Sequence, residues 1–148
     1  MARLLAADRE DLETIAALLQ DSLLRACDSN FDARRRTLTL LFNRFHWEEK
    51  DPKRGYCLVR LCGVTKAQRR SWPDHCAAVL ELLHIDGDDD IIELIFAGGT
   101  AVRCRIEAID VVMEDVGEAW PVETRPDHAD DEDPEPDDEM ETAQPAAG

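Results

Sequence analysis

From Leu23 to Ile106 the chain alternates apolar runs with short polar links, and that spacing limits the fold more than any other feature. Leu23–Phe31 runs into Asp32-Ala33-Arg34-Arg35-Arg36. Thr37–Trp47 follows, then the charged Glu48–Gly55. Tyr56–Thr65 is the next run, with the polar Lys66–Asp74 behind it. Ala77–Ile85 and Ile91–Ala97 flank Asp86-Gly87-Asp88-Asp89-Asp90, and Gly98-Gly99 precedes a last alternation. In that alternation Val102, Cys104 and Ile106 share one face, and Arg103 and Arg105 the other. Asp-Gly between apolar runs predicts a hairpin, because glycine supplies the positive φ of primed turns. Links this short exclude parallel crossovers, which need about a dozen residues or more, so successive strands must pair antiparallel.

A helix precedes the strands. Asp8 reads as its N-cap, with Asp11 at the third helical position. Leu12, Ile15, Ala16 and Leu19 fall at i, i+3, i+4 and i+7, one apolar stripe, and predict a helix from about Arg9 to Asp21. Arg3–Ala7 reads as a first strand or a helix lead-in. Ile106, Ile109, Met113 and Val116 are spaced by 3, 4 and 3. That period predicts a C-terminal helix over about 107–116, stopped by Gly117. The expected fold is α+β: an N-terminal helix, an antiparallel meander of about six strands, and a C-terminal helix. Its sheet should be curled, or closed as a pleckstrin-homology-like barrel.

Charge divides the chain into domain and tail. The net charge is −16, from 33 acids and 17 bases. Residues 121–148 hold 11 of those acids, one base and five of the seven prolines, and cannot bury apolar area. One globular domain over 1–120 and a solvated, disordered acidic tail over 121–148 are expected. Within the domain, residues 25–70 carry a local +7 and residues 71–120 a local −10. Arg34, Arg35 and Arg36 at one turn, with Lys53, Arg54, Arg69 and Arg70 in later links, form a candidate basic binding patch. It would serve an acidic surface, a nucleic acid, or the acidic tail itself. Arg44 and Trp47 are candidate interface anchors. Strand alternation favours a different reading of that segment, with Phe45 and Trp47 inward and Arg44, His46 and Glu48 wet.

The ordered set of motifs resembles a known family. Leu4-Leu5-Ala6-Ala7-Asp8, Leu18-Leu19-Gln20-Asp21, Phe42-Asn43-Arg44-Phe45-His46-Trp47-Glu48, Phe96-Ala97-Gly98-Gly99 and Asp115-Val116-Gly117-Glu118-Ala119-Trp120 are similar to domain-of-unknown-function family 2948, a small alphaproteobacterial family. The resemblance covers most of residues 3–126, and the acidic extension reads as an addition to its pattern. It implies a cytoplasmic bacterial setting and no catalytic residues.

Familiar chemistries are missing. No apolar run approaches the roughly 18–20 residues that span a bilayer, and no leader core is visible. The five cysteines (27, 57, 62, 76 and 104) lack disulfide rhythm and Cys-x-x-Cys spacing, and read as free thiols in a reducing cytoplasm. A zinc site would have to draw His75 and Cys76 together with distant residues such as His46 or His84. Asp86–Asp90 has its glycine second, where a calcium loop needs it sixth. Ser22, Ser29 and Ser71 sit in no nucleophile elbow. No pattern calls for a cofactor or a metal. The expectation is a non-catalytic protein-binding or adaptor module with a protein partner. The alternatives are a polyanion or nucleic-acid binder through residues 25–70, gated by the tail, and an enzyme of unrecognised type.

Overall fold

A computed structural model describes residues 3–123. In chain order the elements are β1 (Arg3–Ala6), α1 (Arg9–Leu19), β2 (Leu23–Asp32), β3 (Thr37–Phe45), β4 (Lys53–Cys62) and β5 (Val64–Arg70). They continue with β6 (Val79–Gly87), β7 (Ile91–Phe96), β8 (Ala101–Ile106) and β9 (Val111–Pro121). All strand pairs are antiparallel, in the spatial order β1-β9-β4-β3-β2-β6-β7-β8-β5. The α+β class and the N-terminal helix agree with the sequence.

Three expectations do not hold. The strand order is linear, with β1 and β5 as its ends, so the sheet does not close and the curled or pleckstrin-homology-like barrel is wrong. The C-terminal helix is absent: residues 111–121 are strand β9, between β1 and β4. Val111, Met113 and Asp115 turn inward with a period of two, and the helical spacing of Ile106, Ile109 and Met113 was produced by a bend between two strands. Gly117, at φ 73°, lies inside β9 where the pairing with β4 is irregular. Lys66–Asp74 is not simply a loop, because most of it is strand β5, and the count rises from about six strands to nine. The tail expected over 121–148 lies, from residue 124 on, outside the described residues.

Helix α1 begins as its residues dictate. Asp8 is extended, and its Oδ1 accepts a hydrogen bond from the Asp11 amide at 2.8 Å. Leu12, Ile15, Ala16 and Leu19 are buried, and the helix packs on β1 and β6. Gly87 matters here for a reason other than the expected one. Its φ is not positive. A Cβ on it would lie 2.8 Å from Leu12 Cδ2 and 3.0 Å from Ile92 Cγ1, so the missing side chain lets α1 approach the β6–β7 hairpin. The turn itself is made by Asp88, whose Oδ1 accepts from the amides of Asp90 and Ile91 at 2.8 and 2.9 Å. Gly98 and Gly99 do take positive φ, at 82° and 84°.

One continuous core joins α1 to the inward face of the sheet, with Cys57 and Cys104 packed in it as small apolar groups. Cys27 and Cys76 are disulfide-bonded, with Cα atoms 4.7 Å apart, which corrects the reading of five free thiols. They are 49 residues apart in sequence, a separation that leaves no local signal. Among the described residues, no helix is long and apolar enough to cross a membrane.

Candidate functional site

The candidate basic patch divides along the β3–β4 ladder. Thr37 pairs with Cys62 at one end and Phe45 with Arg54 at the other, eight steps away, or about 27 Å at the strand rise. Arg34, Arg35 and Arg36 lie at the first end. The Arg36 carbonyl accepts the Val64 amide at 2.8 Å, and its guanidinium pairs with Glu107. Lys53 and Arg54 lie at the far end and are already engaged. Lys53 faces Glu49 at 3.5 Å. Arg54 donates to the carbonyl and side-chain oxygens of Asn43 and lies over the Phe45 ring. Burial pushes the Arg54 pKa down. Arg69 and Arg70 end β5, with Arg69 stacked 5.2 Å over the Trp72 ring.

At the first end the sheet leaves a groove. Among the described residues, β5 pairs only with β8, and the Ser29–Asp32 part of β2 pairs only with β3. These two unpaired strand edges face each other across a cavity of about 360 Å³. Phe31, Leu38 and Leu40 line one side, and Ala67, Arg69 and Val102 the other. Arg34–Arg36 mark the turn from which the hairpin flank rises, and Arg69 lies on the opposite flank, so these parts of the patch share one feature while Lys53 and Arg54 do not.

At the far end lies a buried polar cluster. On β3, Leu38, Leu40 and Phe42 turn inward, and Arg44 follows the same alternation. It is 0 % exposed, so the candidate anchor has no surface to offer a partner. The reading that kept Arg44 and His46 wet is also wrong, because both are buried, although Phe45 is buried and Glu48 exposed as that reading had them. The guanidinium donates to both Asp115 oxygens at 2.8 and 2.9 Å, and to both Glu48 oxygens at 3.1 and 2.6 Å. Burial draws the Arg44 pKa down, but its hydrogen bonds to Asp115 and Glu48, together with their negative charge, outweigh it and raise the value. The Arg44 hydrogen bonds in turn hold Glu48 below its ordinary range. Burial, with Asp115 adding to it, pushes the Cys57 thiol up to about 12.

His46 is 4 % exposed, and neither ring nitrogen has a hydrogen-bond partner among the described residues. Its Nδ1 lies 3.4 Å from Glu49 and 3.7 Å from Glu48, and its Nε2 lies 3.1 Å from where a Gly55 Cβ would stand. Trp47, the second candidate anchor, donates its indole N–H to the Gln20 carbonyl at 3.0 Å and packs edge-on against Phe45. His46, Glu48 and Asp115 place ligand-type atoms within 4.8 Å of one another. They do not fit a metal ion, because Arg44 already occupies all four carboxylate oxygens with a positive charge. Sequence reading missed Asp115. Its signal was an acid continuing the inward row of Val111 and Met113, hidden by the helix assignment.

The family pattern described as protein of unknown function DUF2948 matches residues 2–128. The chain belongs to that family. No curated protein and no solved structure matches it. The DUF2948 match spans every described strand, so the groove and the Arg44 cluster both lie inside the family region. It ends just before the acidic run that opens at Asp130.

Proposed function

We propose that the protein is a non-catalytic protein-binding module that takes an extended partner segment, as an added strand, into the groove between β2 and β5. The observation that carries this reading is the pair of unpaired strand edges flanking an apolar floor. Unpaired backbone N–H and C=O groups are the standing template for strand addition, and pockets between them select alternate side chains. The partner chemistry follows from the lining: apolar groups toward Phe31, Leu38 and Val102, and a carboxylate toward Arg69.

The test is selection of a random displayed peptide library on the full chain, followed by hydrogen exchange with a selected peptide bound. Amides of residues 29–32 and 64–70 should gain protection, and Ala67→Trp, which fills the groove, should weaken binding at least about tenfold. Peptides that protect only other segments would reject the reading, even if Ala67→Trp does not fold.

The other readings have less support. A nucleic acid along residues 25–70 would meet a buried Arg44 and two cation groups at opposite ends of a ladder. A thiol enzyme would need a low-pKa cysteine, whereas burial pushes both Cys57 and Cys104 up to about 12 and also raises Cys62. A cytoplasmic setting belongs to the same proposal, and there Cys27 and Cys76 would be held reduced.

A further inference from the structure

The outer face of β5 and β8 carries an unusual concentration of like charge. Lys66 stands directly opposite Arg105, Gln68 opposite Arg103, and Arg70 opposite Ala101. Lys66, Arg70, Arg103 and Arg105 are all exposed. Like charges directly opposed across a strand pair cost stability, by a few tenths to about 1 kcal/mol. The neighbouring strand relieves this only at Arg103: β7 presents Glu93 to Arg103, with Asp88 also close enough to feel its charge, but Ile91 to Arg105. Lys66, Arg70 and Arg105 form no ion pair among the described residues. Three of the four cations on this face are therefore left without an ion pair, on a chain whose net charge is −16.

We propose that this face docks residues 130–141 of the same chain. That segment holds nine carboxylates and no Lys or Arg. Charge complementarity selects it over an external polyanion, which the net charge of the chain repels. The tether does the rest. At about 3.3 Å per residue, positions 130–141 reach roughly 20–60 Å from Glu123, and a folded unit of this size has a radius of gyration near 14 Å. A segment on so short a tether is present at an effective concentration in the millimolar range. Pro134 and Pro136 each lack an N–H, so the segment suits a charged face better than a strand edge. The docking face is distinct from the groove: Lys66, Gln68 and Arg70 share one side of β5, and Ala67 and Arg69 the other. The two proposals can fail separately.

The chain has three lysines, Lys50, Lys53 and Lys66, which makes the test direct. A carbodiimide that joins an ammonium to a touching carboxylate is applied to the full chain at low ionic strength and at two dilutions. Lys66 should link to carboxylates of residues 130–141, independently of dilution and more than Lys50 or Lys53 does. The yield should fall several-fold near 1 M salt, where the screening length drops to about 3 Å. Arg103→Gln with Arg105→Gln should lower the Lys66 yield and leave Lys50 and Lys53 unchanged. Equal yields at all three lysines, or no link at Lys66, would overturn the proposal. Retention of that same full chain on heparin, without a Lys66 link, would overturn it too and assign the face to an external polyanion.

Discussion

The two ends of the β3–β4 ladder use arginine in opposite ways. At the Phe45 end Arg44 is inside the protein, held by two carboxylates, with every ionised neighbour bonded to it. At the Thr37 end Arg34, Arg35 and Arg36 stand in water beside a groove whose strand edges are unpaired. The first end is complete in itself and can only lose by change. The second is incomplete, and its energetics depend on what joins it. Stability and binding should therefore separate along this ladder.

Asp115→Ala should break the comparison most sharply. It leaves Arg44 charged and half-partnered in the core, a loss of about 3–5 kcal/mol, read by denaturant unfolding. Reduction of Cys27–Cys76 comes next. Closing a chain loop of this size is worth about 2–4 kcal/mol, and the loss should appear as faster hydrogen exchange in residues 29–32, on the groove flank, with the Arg44 end little changed. Acid should act at the Arg44 end. The folded Glu48 pKa lies below its ordinary 4.5, so the unfolded state binds that proton more tightly. The stability this contributes is full above about pH 4.5 and is lost as pH falls through the lower folded value. Glu48→Gln should flatten that acid limb in a pH series of unfolding midpoints; an unchanged limb would show that Glu48 does not drive it. Arg36→Ala, at the open end, should cost least, about 0–1 kcal/mol despite its pairing with Glu107.

What the sequence made legible follows the same division. The helix was readable because Asp8, Asp11 and the Leu12–Leu19 stripe are local signals that agree. The β6–β7 hairpin was readable too, although Asp88 makes the turn and Gly87 serves packing. Strand β5 was hidden because an edge strand needs few apolar residues, and Val-Thr-Lys-Ala-Gln-Arg-Arg has the composition of a loop. Strand β9 was hidden because Asp115 interrupts an inward apolar row, and only Arg44, 71 residues away in sequence, explains it. The basic patch was half legible: sequence shows which residues are charged, but not which end of a ladder they occupy. The disulfide and the groove depend wholly on tertiary contacts.

The cations on β5 have one more consequence. A free, partly apolar strand edge invites identical copies to stack edge to edge. Lys66, Arg69 and Arg70 put the same sign on both edges in any such pairing, so two copies of β5 repel each other. An edge of this kind can remain available to a carboxylate-bearing strand and still discriminate against its own duplicate. Its selectivity against self-assembly would weaken in high salt, where colloidal behaviour should deteriorate first.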